Sequence, residues 1–402
     1  MMKEADLEKR FYEGRSIVIS DDVGVLSKPK DNGDSELDII KLLRGTWVSH
    51  AAGWNLIALP ASSKDLKNKP DSDKNNFRLL MNQYGETLKF DMPDTHVPNR
   101  GVKPEGDEPD QLINGITYEQ FVVQKEVKDF PEGVDDGKRK VRAANGEPIH
   151  HEPGFFLQFL NHVQKGTSPD VTDENGKMVE KELKIARMGT IPHGNSVLAM
   201  GFVTNDKTIE DDDAFPERLK PDKAGKENKV DVNDVKKNPD LEPYLEPYRY
   251  FIENPFLGCV DDKKVSGFPG FSPDNTHAIL QFTQNKLNVR KTTVLNFDTK
   301  FKVDGIDNPE FDHNDKPIAG FPISNVPFVK RAANVTEMHA TFWIMELEKT
   351  DSCADPEFVM QYSQTVYLEF FDSPLGEKDK HGKPLRIRWP HVSINTLRKV
   401  GP

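Results

Sequence analysis

Period-two alternation of side-chain character is the feature that most limits what this chain can fold into. In Phe358–Phe371 one face carries Phe358, Met360, Tyr362, Gln364, Val366, Leu368 and Phe370, and the other Val359, Gln361, Ser363, Thr365, Tyr367, Glu369 and Phe371. Successive strand residues point to opposite faces, so this pattern predicts a half-buried strand. His339–Leu347, Ala278–Thr283 and Thr292–Phe297 read the same way, each bounded by Asp, Asn, Gly or Pro. Upstream, Trp47–Leu59, Glu86–Phe90, Ile116–Val127, Phe155–Leu160, Leu183–Ile191 and Ser196–Thr204 complete the set. About ten strands at fairly even spacing is the pattern of a sandwich or a barrel. Only two short helices are expected, one over Glu36–Leu43 capped by Asp34-Ser35, and one over Ser393–Val400. Strands do not alternate with long amphipathic helices, which argues against a parallel α/β fold.

Between the strands lie long polar stretches at 62–76, 91–114, 166–181 and 206–246. Segments so rich in Asp, Lys and Pro bury too little apolar surface to offset chain entropy unless they drape over something else. The Tyr-rich end of the last, Tyr244 to Tyr250, is a candidate lid, and Gly267–Pro273 a candidate lining of a barrel mouth. We read residues 1–36 as an N-terminal extension and 37–402 as one β-domain carrying these insertions. The formal charge is −12, and no basic stripe with interleaved aromatics occurs. Such a surface repels phosphates, so neither nucleic acid nor a membrane is an expected partner. The start of the chain has no apolar h-region, and no run reaches the roughly 18 apolar residues of a membrane span. Cys259 and Cys353 have no metal-ligand spacing. A reducing, cytoplasmic setting is the expectation.

Leu42-Leu43-Arg44-Gly45-Thr46-Trp47 opens the first strand after a short helical turn. Gly45 allows a tight turn and Trp47 can plug one barrel end, stacked on Arg386 or Arg388. This Gly-x-Trp resembles the start of the calycin barrels. Pro148-Ile149-His150-His151-Glu152-Pro153-Gly154-Phe155-Phe156 is similar to the P-x-H-x-E-x-G-aromatic-aromatic run of the nitrobindins, the haem-binding members of that group. The terminal Trp389-Pro390-His391-Val392-Ser393-Ile394 looks like the same family's Pro-His segment. The strand Gly115–Lys125 occupies the place of the one that precedes the His–Glu–Gly run. Pro153 and His151 depart from the family pattern, and the insertions have no counterpart in it. The resemblance implies an all-β fold: a closed antiparallel up-and-down β-barrel of about ten strands, calycin-like, with few short helices. It also implies haem b as cofactor, with His391 as the proximal iron ligand. Further implications are ferric iron and a small-molecule ligand such as nitric oxide, peroxide or peroxynitrite.

Pro390 would fix the backbone approach of His391, and Val392, Ile394 and Leu397 would pack behind it. His150 is the candidate on the distal side, where it would hydrogen-bond the small ligand and act in catalysis. Because neighbouring strand residues face opposite ways, only one of His150 and His151 can face a cavity. Glu152 reads as a structural hydrogen-bond acceptor. His193, in Ile191-Pro192-His193-Gly194, is either a second distal or axial group or a turn residue. His50, His277 and His339 read as satisfied core or surface histidines. Zinc-site spacing, a phosphate loop and a G-x-S-x-G elbow do not occur. A peroxidase would need a positioned base and a cation to split an O–O bond, and the sequence offers no evident pair. Enzyme status, as peroxynitrite isomerase or peroxidase, therefore stays open. The alternative is a calycin-type carrier of a fatty acid or other apolar molecule without iron chemistry. Oligomerisation to a homo-oligomer also stays open.

Overall fold

The computed structural model describes residues 39–401 except 62–64, 67–76, 92, 101–109, 135–142, 206–208, 217–241, 262, 304–322, 350–355 and 374–375. The expected extension over 1–36, most of the 62–76 and 206–246 insertions, and Cys353 lie outside the described residues. A short helix, α1 (Ile39–Leu43), leads into the long strands β1 (Gly45–Pro60) and β2 (Phe77–Phe90). Next come β3 (Asp94–Arg100), β4 (Asp110–Phe130), β5 (Pro148–Phe159), β6 (Gln164–Thr167), β7 (Lys181–Leu183), β8 (Ile185–Ile191) and β9 (Asn195–Asn205). Helices α2 (Glu242–Glu253) and α3 (Ala278–Gln284) precede β10 (Val289–Asp298), β11 (Lys302–Val303) and β12 (Ser324–Asn325). Helix α4 (Pro327–Ala332) and strands β13 (Asn334–Leu347), β14 (Phe358–Asp372) and β15 (Arg386–Lys399) complete the chain.

Ten of these strands pair antiparallel in chain order, β1-β2-β4-β5-β8-β9-β10-β13-β14-β15, and β15 returns to pair with β1. The result is a closed up-and-down barrel, in which no long strand is left with an unpaired edge. β3 extends the pairing beside β4, and β12 beside β9. β11, β6 and β7 form a separate small sheet. Part of what reads as polar insertion is thus ordered strand.

Two local expectations are corrected. Ala278–Thr283 is not a strand but the helix α3, in which the Thr283 hydroxyl donates to the Ile279 carbonyl at 2.9 Å. A six-residue apolar stretch fits either period, and length alone does not separate them. Ser393–Val400 is not a helix: through Lys399 it is the last stretch of β15. There β14 and β1 on either side supply the ladder partners that close the barrel.

Register separates the lumen from the outer face. Tyr362 on β14 reaches Gln120 on β4, a strand that is not its neighbour, so this face of each strand points inward. By pairing, the same face holds His391, Ser393 and Asn395 of β15, Asn55 of β1, and Asn82, Tyr84 and Glu86 of β2. It further holds Tyr118 and Gln120 of β4, His150 and Glu152 of β5, and Arg187 of β8. Gly45, at φ 114°, makes the expected turn into β1. Trp47 is fully buried, with its indole N–H donating to the Leu43 carbonyl at 2.7 Å. The cation over its ring is Lys399, 5.3 Å away and paired to it across β15; the expected Arg388 lies over Tyr367 instead.

The opposite face of β1, β2 and β15 is also buried. Trp54 there packs against Phe256, Phe268 and Phe271, with ring centroids 5.8, 5.7 and 6.2 Å away. The Gly267–Pro273 loop therefore covers the outer wall rather than lining a mouth. In α2, Tyr248 stacks on Phe215 near Phe77, and Tyr250 stacks on Phe130 at 4.1 Å.

Candidate functional site

The interior is held by two polar clusters, both built from residues that alternate with apolar ones along their strands. In the first, the Glu86 carboxylate accepts from Tyr362 Oη at 2.5 Å, Gln120 Nε2 at 2.8 Å and Asn395 Nδ2 at 2.8 Å. The Tyr84 and Tyr362 hydroxyls meet at 2.9 Å. Burial raises the Glu86 pKa against the lowering effect of these donors. Every donor comes from a different strand, so the cluster ties β2, β4, β14 and β15 together.

The second cluster centres on Arg187. Its Nη2 donates to Glu152 Oε1 at 2.8 Å, its Nε to the Tyr118 hydroxyl at 3.2 Å, and its Nη1 to Gln364 Oε1. The guanidinium carbon also lies 5.5, 5.8 and 5.6 Å from the ring centroids of Tyr118, Phe156 and Phe342. Arg187 and Glu152 are 4% and 3% exposed, which makes this a buried ion pair in which each guanidinium nitrogen has an acceptor. The Tyr118 hydroxyl donates to the same Glu152 oxygen. Burial alone would raise the Glu152 pKa, but the Arg187 charge and the donors around it hold it down to about 2. Space for this packing comes from two facing glycines. A Cβ on Gly154 would lie 2.6 Å from the Tyr118 ring, and one on Gly189 would lie 2.3 Å from Glu152 Oε1.

His150 continues the chain of contacts. Its Nε2 lies 3.2 Å from Glu152 Oε2. The adjacent His151 points outward to Glu119 at 2.8 Å, as strand alternation requires. The His193 ring stands edge-on to His150 at 6.0 Å between centroids, with its pKa lowered by burial and by His150. His391 faces the lumen from β15, and burial, followed by the charges His150 and His193 would carry, lowers its pKa to about 3. At neutral pH it is an uncharged imidazole. The three histidines expected from sequence are therefore all on the inner side or rim of one barrel and close enough to feel one another.

Two features were not anticipated. The amide of Asn55 sits on His391 Nε2 and also donates to Ser393 Oγ at 2.8 Å, while Asn82 donates to Asn55 Oδ1 at 3.3 Å. The side-chain oxygen of Asn82 is buried and has no partner among the described residues. One ring nitrogen of His391 is thus engaged by a neutral side chain. Arg187 and Tyr118 also escape the sequence reading. Arg187 does carry a signal, because it shares a strand face with Ile185, Gly189 and Ile191. A charge on an apolar face usually has a buried partner, but nothing in the sequence identifies it as Glu152.

His277 and His339 have partners of their own. His277 bonds the Glu210 carbonyl at 2.8 Å and Ser363 Oγ at 2.7 Å, and His339 packs on Tyr367 at 6.0 Å. Among the described residues, no group of three or more His, Cys, Asp or Glu side chains forms a metal cage, and no helix is long and apolar enough to cross a membrane.

One imidazole suffices to hold a haem iron, so the donor chemistry of the lumen fits that group: His391 is inward-facing and uncharged. The lining beside it is mixed: Asn55, Ser393 and Gln364 offer amide and hydroxyl groups, and Val366, its register partner on β14, is hydrocarbon. Comparison with protein-family models, with curated proteins and with solved structures finds no match to this chain.

Proposed function

We propose that this chain is a haem-binding barrel of the nitrobindin type that works in the cytoplasm and takes a small ligand such as nitric oxide, peroxide or peroxynitrite. The observation that supports the reading is that His391 and His150 share the inner face of the barrel, with the exposed His193 beside His150 at its rim, and that His391 is held uncharged so that a ring lone pair is free of a proton. His391 would hold the iron, and His150 and His193 would stand toward the bound small molecule. Haem supplies a redox-active iron with an open sixth position when a single imidazole binds it. The protein's own task is to orient the small molecule and handle its protons. Asn55 lies on His391 Nε2 and would have to turn aside for that nitrogen to hold iron.

The rival reading is a carrier of a fatty acid or other apolar small molecule; a fatty acid would need a cation for its carboxylate. Arg187, the guanidinium inside the barrel, already spends its charge on Glu152.

The test is the absorbance of protein produced with haem available. A strong near-ultraviolet band is expected, lost in His391→Ala and retained in His150→Ala. Asn55→Ala should bind haem several-fold more tightly than the parent, because it uncovers Nε2. Absence of the band in the parent protein, or a band indifferent to His391→Ala, overturns the proposal.

A further inference from the structure

We infer that Glu152 is a positioning residue that makes His150 the proton acceptor of the lumen, toward a small O–H acid such as water or hydrogen peroxide. The inference deepens the haem reading and rests on it for the identity of the acid.

Glu152 Oε1 is taken by two donors, Tyr118 Oη and Arg187 Nη2, leaving Oε2 for His150. An ionised carboxylate only accepts, so the proton of a neutral His150 must sit on Nε2. The lone pair is then confined to Nδ1, for which no partner occurs among the described residues. A carboxylate that fixes tautomer and ring direction in this way is the arrangement that lets an imidazole act as a base. Arg187 keeps Glu152 ionised even inside the barrel, and the rings of Tyr118, Phe156 and Phe342 keep Arg187 in place. The sequence shows no positioned base, whereas the fold sets His150 against Glu152, and Glu152 against Arg187, from β5 and β8.

In the step itself, Nδ1 of His150 takes the proton of the O–H group. The O–H bond breaks with its electron pair left on oxygen, an N–H bond forms, and the resulting imidazolium is paired with the Glu152 carboxylate. No electron is transferred and no co-reactant is required. The titratable and charged groups around His150 are Glu152, Glu86, His193, His391 and, through Glu152, Arg187.

Substitution Glu152→Gln gives a specific outcome. The single carbonyl oxygen of Gln must serve Arg187 and Tyr118, which turns its NH₂ toward His150. That NH₂ donates to Nε2 and drives the imidazole proton to Nδ1. The His150 tautomer is read by ¹⁵N NMR of the haem-free chain at a pH where the ring is neutral. Parent protein should show Nε2–H, and Glu152→Gln should show Nδ1–H. In haem-loaded protein, Glu152→Gln should slow reaction with hydrogen peroxide on the order of a hundredfold while the absorbance band is unchanged. An Nδ1–H tautomer in the parent overturns the inference even if the variant does not fold, and so does an unaltered tautomer in a folded variant. The expected tautomers without any haem band would leave Glu152 in its positioning role and overturn the haem reading alone.

Discussion

At Arg187, a residue 4% exposed, the charge is tolerable only because Glu152 lies 2.8 Å away and the other two guanidinium nitrogens also have acceptors. Removing one partner of such a pair strands the other as an uncompensated buried charge. We expect Arg187→Met to cost about 3–5 kcal/mol in urea unfolding, and the double variant Arg187→Met with Glu152→Met to recover a large part of that loss. His391 gives a pH dependence of definite sign. Its folded-state pKa of about 3 lies below the ordinary 6.5, so between these values the unfolded chain binds the proton more readily. Stability of the haem-free protein should therefore fall as pH drops from 6.5 toward 3. Glu152, held near 2 against an ordinary 4.5, adds a loss of the same sign below 4.5. Glu86 opposes them: its pKa is raised, so it contributes stability at low pH that is lost as pH climbs through its folded-state value. Urea midpoints of His391→Gln should be flatter than those of the parent between pH 6.5 and 4.5. An equally steep profile would show that His391 is not buried uncharged.

Among the elements, the β5–β8 pair carries the tightest constraint. Gly154 and Gly189 are register partners, and their missing side chains let Tyr118 and Glu152 lie against the backbone. A methyl group at Gly154 would come within 2.0 Å of the Met188 carbonyl oxygen, which is backbone and has little freedom to move. Gly154→Ala should cost about 1–3 kcal/mol or more by overpacking. Gly189→Ala would instead meet Glu152 Oε1 and the Tyr118 hydroxyl, at 2.3 and 2.7 Å. It should therefore disturb the His150 tautomer more than the folding. The glycine of the His–Glu–Gly run thus has a physical role: it vacates the floor under Tyr118.

Across the whole molecule the barrel wall is unevenly covered. Over β1, β2 and β15 the segments around 209–215 and 245–282 form a second layer, in which Trp54 is 2% exposed. On the outer face of β5 and β8, Ala186 and Leu157 pack against Leu183 and Phe301, but the paired Phe155 and Met188 next to them are 43% and 40% exposed. Truncation should report that asymmetry. Trp54→Ala is expected to cost about 3–5 kcal/mol, whereas Phe155→Ala should stay within about 1 kcal/mol. Thermal or urea melts of the two variants settle it; similar losses would mean that the outer layer contributes little.

Much of the barrel was legible because strand period is local: each residue of Phe358–Phe371 takes its side from its immediate neighbours. The same logic put His151 outside once His150 was placed inside, and it marked Gly45 as a turn. Local pattern failed where a short segment fits two periods, as at Ala278–Thr283. It failed again at Ser393–Val400, where strand character comes from two distant ladder partners. The candidate imidazoles could be named from sequence, but their company could not. Arg187, Glu152, Tyr118 and Gln364 come from four strands, and Asn55 meets His391 across 336 positions of chain. Contacts of that span depend on closure and shear of the sheet, which no window of residues encodes, so only the tertiary structure decided which charges are paired and which lone pair is left free.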